Sequence, residues 1–214
     1  MSGDARGIVI FGDVVRSRRR LGTARWLESL CAELDAAYGD RRLAAFEFTQ
    51  GDEMQGLLRL AADPFDAVMR GALRPRDVAP EMRWAVAAGT VEPGRGSATR
   101  RTGPAFIDAR VTIELARRRR ETLLVKTGDA ETDALLDGTA PVLGSMLVRL
   151  TDRQRLIARL ALVDGLRQSD IADRLVVTRA TVSVAFRRAD VRSLERLLMT
   201  TRALWASGLG RAQA

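Results

Sequence analysis

The chain has 214 residues, 46% of them hydrophobic, and a formal net charge of +8, enough apolar content for one large core or two small ones. No run of about 20 uncharged apolar residues is present, which excludes a membrane-spanning helix, and the single cysteine, Cys31, excludes an intrachain disulfide. Histidine is absent, so Ser-His-Asp and Cys-His nucleophile systems, His-containing zinc sites and His general bases are all excluded within the chain.

The N-terminus, MSGDARGIVIFGD, lacks the long apolar stretch of a signal peptide, so the chain is expected in the cytoplasm. GIVIFGDVV (7–15) is a short β-branched run ended by an acid and then by RSRRR, which predicts a buried strand followed by a basic loop. TARWLESLCAELDAAYG places Trp26, Leu27, Leu30, Leu34 and Ala37 at helical spacing, with Thr23 as N-cap and Gly39 as stop. Cys31 falls inside that helix and reads as a buried thiol packing as a small hydrophobe. LAAFEFT and EMQGLLR form a hairpin around residue 51, and ADPFDAVMRGALR a second helix with Pro64 in its first turn. MRWAVAAGTV (82–91) is another strand, and EPGRGSATRRTG after it reads as a mobile loop by composition. PAFIDARVTIELARRRR predicts a third helix with Arg117 to Arg120 at its C-terminus, where the macrodipole favours cations, and TLLVKT closes the sheet. This order predicts an α+β sandwich of the ferredoxin-like or palm type, a mainly antiparallel sheet with helices on one face.

A right-handed crossover between strands 7–15 and 43–49 makes them parallel, so Asp13 and Asp52 end on the same edge of the sheet. Two carboxylates converging there repel unless a cation or proton lies between them. The sharp reading is a magnesium or manganese site of Asp13 and Asp52, with Glu53 or the Val14 carbonyl as further ligands. The plain reading is that Gly51-Asp52 is hairpin turn chemistry and Asp13 only ends a strand.

From residue 131 the pattern is helical. Thr151 caps a helix with Gln154 at the capping-box position, and Gly165 ends it. RQSDIADRL points Ile171, Ala172 and Leu175 inward; VTRATVSVAFRRA follows with Thr178 as N-cap and Val182 and Phe186 buried. This spacing resembles the helix-turn-helix of many bacterial regulators, whose last helix enters the major groove of double-stranded DNA. Arg179, Ala180, Thr181 and Ser183 then face base edges, with Arg187 and Arg188 near phosphates. Val176 occupies the turn position often taken by glycine, and a β-branched residue resists φ > 0, so a turn of another shape is expected. Charge agrees with a polyanion partner: residues 151–214 carry 12 basic and 6 acidic side chains, residues 1–150 carry 23 and 21. The last helix, with Leu194, Leu197, Leu198, Leu204 and Trp205, has more apolar surface than a lone terminal helix needs, which predicts a homodimer interface suited to a palindromic site.

FGDVVRSRR, TQGDEMQGLL, RWAVAAGTV and GPAFIDAR, followed by the helix-turn-helix, resemble the SatD family of bacterial proteins over essentially the whole chain. More distantly, the N-terminal part is similar to the catalytic domain of class III nucleotidyl cyclases. That resemblance carries Asp13 and Asp52 over as metal ligands and implies nucleotide contacts at Gly51, Gly103 and Arg110. It departs elsewhere. The transition-state Asn falls at Ile107 and its arginine at Val111, Arg110 being one place early, and the base-reading positions fall at Phe48 and Arg100. Without positive charge at the transferred phosphate, a cyclase loses several factors of ten in rate. The expected organisation is a degenerate cyclase-like domain (1–128), a helical linker (129–150) and a helix-turn-helix domain (151–214). The favoured function is a sequence-specific DNA-binding regulator whose first domain senses a nucleotide or small-molecule effector or dimerises, with enzyme activity left open. The alternative is a metal-dependent nucleotide enzyme with an auxiliary tail.

Overall fold

The computed structural model describes residues 5–15, 22–49, 52–75 and 80–212. Strand β1 (Ala5–Val14) runs through the centre of a five-stranded sheet. It lies antiparallel to both β3 (Glu53–Leu58) and β4 (Met82–Val91). Beyond them lie β2 (Arg42–Phe48), antiparallel to β3, and the short β5 (Leu123–Lys126), parallel to β4, giving the order β2-β3-β1-β4-β5. β1 and β2 therefore share a direction, as expected, but β3 lies between them.

The strand pleat sends Ile8, Ile10 and Val14 to one face and Val9, Phe11 and Asp13 to the other. Against the first face pack α1 (Thr23–Tyr38), α2 (Pro64–Ala72), α4 (Ala130–Arg149) and α8 (Val191–Arg211) in one large core. Against the second packs α3 (Pro104–Arg119), through Phe106, Ala109 and Ile113. Helices thus cover both faces, not one. The reason was in the sequence: Ile8 to Phe11 is an unbroken apolar run, the pattern of a strand buried on both sides. Helix α1 begins without the Thr23 cap; Gly22, left-handed at φ 87, stands before it, and Thr23 is its first residue.

The helix-turn-helix is built from α5 (Asp152–Leu162), α6 (Gln168–Leu175) and α7 (Arg179–Arg188). The Thr151–Gln154 capping box opens α5 and Thr178 caps α7 by accepting from the Thr181 amide. Its own small core joins Ile157, Leu160, Ile171, Ala172 and Val182, with Leu175 and Phe186 half-buried at the rim.

Helix α8 does not stay with this unit. It runs back across the first face, where Leu194, Leu198 and Trp205 enter the large core and Trp205 meets Phe65 edge-on at 6.0 Å. A Cβ at Gly208 would lie 2.6 Å from Thr127 Oγ1, so only glycine lets the helix approach β5 this closely. The boundary expected at 150 is therefore crossed, and the leucines that pointed to a homodimer cover α4 and the sheet domain instead. Among the described residues no helix is long and apolar enough to cross a membrane.

Candidate functional site

Two places concentrate charge: the outer face of α7 and the edge where β1 ends and β3 begins. On α7, Val182 is turned inward, which leaves Arg179, Ala180, Val184, Arg187 and Arg188 exposed and Thr181 and Ser183 half-exposed. Among the described residues, Arg179, Arg187, Arg188, Arg192 and Arg196 form no ion pair.

The turn before α7 departs from expectation. Val176 is left-handed, φ 53 and ψ 49, and accordingly the turn takes the ordinary helix-ending shape despite its β-branch. Its side chain is 91% exposed, so nothing touches it in return for the strain. The Val177 amide donates to the Ala172 carbonyl at 3.0 Å, closing the turn onto α6.

At the sheet edge, Glu53, Asp13 and Arg83 stand in one cross-strand row on the α3 face. Asp13 is 3% exposed and Glu53 8%. Arg117 makes a two-point contact to Asp13, Nε donating to Oδ2 at 3.0 Å and Nη2 to Oδ1 at 2.7 Å, with Arg83 at 3.5 Å. Arg110 does the same for Glu53, at 2.7 Å to Oε1 and closer to Oε2, while its guanidinium lies over the Phe11 ring at 4.7 Å. Arg110 and Arg117 are two helical turns apart on α3, so one helix face delivers both. Hydrogen bonding to Asp13 holds the Arg117 guanidinium above its ordinary pKa, against the opposing effect of burial.

The expected pair was Asp13 with Asp52; the structure sets Glu53, the further ligand, directly across from Asp13 and Asp52 just before it, the Asp52 carbonyl accepting from the Val14 amide at 2.9 Å. A hard dication wants six or more oxygens. Here both buried carboxylates already accept guanidinium forks, and among the described residues no group of three or more potential ligands is placed to hold a metal. A magnesium or manganese ion at these carboxylates would have to displace the guanidiniums that hold them.

Gly103 and Arg110, two of the expected nucleotide contacts, are each engaged with other parts of the protein. Gly103 lies beside Thr90 to Glu92, and a Cβ there would meet Glu92 N and Val91 Cα at 2.8 Å; with φ 131 it is a packing glycine at the start of α3. Since Val91 pairs with Ala5 and Arg83 with Asp13, Gly103 is about 26 Å of strand away from the acidic edge. Arg110 is committed to Glu53, and Gly51 lies outside the described residues. Ile107 and Val111 point to solvent. The loop after β4 is pinned, not free: Ser97 and Thr99 donate to Glu47, and these bonds hold the Glu47 carboxyl below its usual range.

Sequence reasoning missed a third charged cluster, which joins the helix-turn-helix to the sheet domain. Arg155, buried, donates to the carbonyls of Leu150 at 3.1 Å and Val148 at 3.0 Å and to that of Ala72 at the end of α2. Arg159, one turn later, donates to the Arg70 carbonyl at 3.0 Å and pairs with Glu33 on α1, which also pairs with Arg70 and Arg74. Burial alone would raise the Glu33 carboxyl; the hydrogen bonds from Arg74 and Arg159 outweigh it and hold it below the usual carboxylate range. Arginines at i and i+4 on an amphipathic helix were the available signal, lost among 34 arginines.

No family model and no curated protein matches the chain. Among solved structures it is similar to a bacterial light-regulated adenylyl cyclase, at 18% identity and TM-score 0.41, covering 56% of this chain and 75% of that one. A second structure of a bacterial light-regulated adenylyl cyclase gives 18% identity and TM-score 0.40, covering 56% of this chain and 43% of that one. The regulator of polyketide synthase expression from Bifidobacterium adolescentis gives 16% identity and TM-score 0.27, covering 97% and 82%.

Proposed function

We propose that the chain is a sequence-specific DNA-binding regulator of transcription in which the sheet domain receives an effector and the helix-turn-helix reads double-stranded DNA. One contrast carries this reading. Arginines of the sheet domain such as Arg70, Arg83, Arg110 and Arg117 are bound to carboxylates, whereas those on and beside α7 stand exposed. Guanidiniums held on a rigid helix at groove-reading positions suit phosphates and base edges. The four ordered motifs resemble those of the SatD family, and a homodimer would present two α7 helices to a palindromic site. Its interface would lie away from the leucine face of α8, which is already covered.

The enzyme reading loses support at the sheet edge, where Asp13 and Glu53 are neutralised by arginine. The test is to incubate the full chain with fragmented genomic DNA, sequence what is retained, and repeat with variants. Arg179→Ala is expected to cost about 1–3 kcal/mol on the selected site and relax its specificity; Arg187→Ala is expected to weaken binding to all sequences and lower the salt slope by about 1. Retention of DNA with no shared motif, or binding indifferent to both variants, would sink the proposal.

A further inference from the structure

A cavity of about 610 Å³ opens where the second half of α4 faces the start of β5, within the size range of small-molecule sites. Pro141, Val142, Met146 and Val148 supply an apolar wall, and Val142 is 50% exposed there although it sits mid-helix. Pro141 contributes no amide to α4, so the turn below it lacks one helical bond. Arg120 and Arg149 lie at the rim, and neither is in an ion pair among the described residues. Arg120 is also held in the left-handed region, φ 58, an uncommon conformation for a side-chain-bearing residue. Two acids line the same cavity. Glu81 and Glu121 balance the two guanidiniums in formal charge, but Glu121 lies nearest Arg119, at 4.0 Å, and neither acid forms an ion pair with Arg120 or Arg149 among the described residues.

We propose that this cavity binds a small amphipathic organic anion, its apolar body on the α4 wall and its carboxylate, phosphate or sulfonate head on Arg120 and Arg149. Guanidiniums are the side chains best shaped for such heads. The site is also placed to be felt elsewhere. A narrow crevice shares Glu81, Thr122 and Val148 with the cavity and ends at Ala72 and Arg155. Val148 lines both, and its carbonyl accepts from Arg155, the residue that fixes α5 to α2. A ligand on the last turns of α4 therefore presses on the joint that orients the helix-turn-helix. It acts on DNA affinity only if it favours one arrangement of that joint over another.

The binding half of this inference stands independently; the coupling half rests on the DNA-binding reading. The full chain is titrated with anilinonaphthalene sulfonate, an apolar ring system bearing one sulfonate, and fluorescence is followed. One saturable site per chain is expected, weakened about tenfold or more by Arg120→Ala with Arg149→Ala and abolished by Val142→Glu, as guanidinium heads and an open wall require. The melting temperature of each variant shows whether it is folded, and Val142 is exposed enough to accept the change. Non-saturating fluorescence, or equal affinity in folded variants and parent, overturns the site. In a second arm, saturating probe is expected to shift DNA affinity about fivefold or more in the parent and not in Val142→Glu. A normal probe titration with unmoved DNA affinity overturns the coupling and keeps the site. Absence of DNA binding altogether overturns the regulator reading, and the fluorescence arm then decides the site by itself.

Discussion

Replacing Arg117 by alanine removes the two-point partner of Asp13, a carboxylate that is 3% exposed. Breaking a buried ion pair from one side costs about 3–5 kcal/mol, because the remaining charge is left buried. Two features lower that figure here. Arg83 stays at 3.5 Å from Asp13, and the Arg117 side chain is 36% exposed, so water can enter the space it leaves. A loss of about 2–3 kcal/mol is the expectation, or roughly 5–10 °C in melting temperature for a chain of this size. Urea unfolding at neutral pH and fixed salt measures it, with Asp13→Asn and the double variant completing a cycle. The double variant should fall short of the sum of the singles, since each removes the same contact. Manganese is added in a parallel series, and the parent is expected to be indifferent to it. A cost below about 0.5 kcal/mol, the range of ordinary surface changes, would refute the arginine clamp. So would a parent stabilised by manganese while Arg117→Ala is neutral, since Asp13 would then be held for a metal.

Val176→Gly removes a left-handed β-branched residue whose side chain is 91% exposed; stability is expected to rise by about 1 kcal/mol, read as a higher denaturation midpoint, and a fall would show the turn is unstrained. For Glu33 the folded pKa lies below its ordinary value. Its contribution is therefore present above the unfolded pKa, about 4.3, and is lost as pH falls through the folded value. The stability gap between parent and Glu33→Gln should be open at neutral pH and close in acid; a gap that is constant with pH would mean the carboxylate does not hold the joint. Burial pushes the Cys31 thiol up to about 12, so a thiol reagent at pH 8 should label the native chain slowly and the urea-unfolded chain at once. Equal rates would place Cys31 at the surface.

Local signals in the sequence were reliable where a residue answers only to its neighbours. The Thr151–Gln154 box, the Thr178 cap, Pro64 at a helix start and inward Ala172 follow from backbone chemistry and spacing, and the structure repeats them. Legibility ended where partners are far apart in sequence. Asp13 and Asp52, with Glu53 as a further ligand, looked like a cation site because acids at one edge demand positive charge. That demand was right, but the charge comes from Arg110 and Arg117, whose approach depends on α3 crossing that face of the sheet. The unbroken apolar run of β1 called for cover on both faces, and the element order alone was read as a one-faced sandwich. Val176 shows the opposite failure: local preference was read correctly and overruled by the geometry that α6 and α7 require.

Helices α4 and α8 pack against each other while α5, α6 and α7 lie between them in the chain. The helix-turn-helix is thus moored at both ends to one body. A ribosome must have released residues as late as Trp205 and Leu209 before the large core can close, so the sheet domain cannot finish folding ahead of the helix-turn-helix. The two parts would reach their final form in the same step. Cutting the chain at residue 150 would strip the sheet domain of part of its core, and only excision of the loop between the two moorings, with α4 rejoined to α8, would leave it whole.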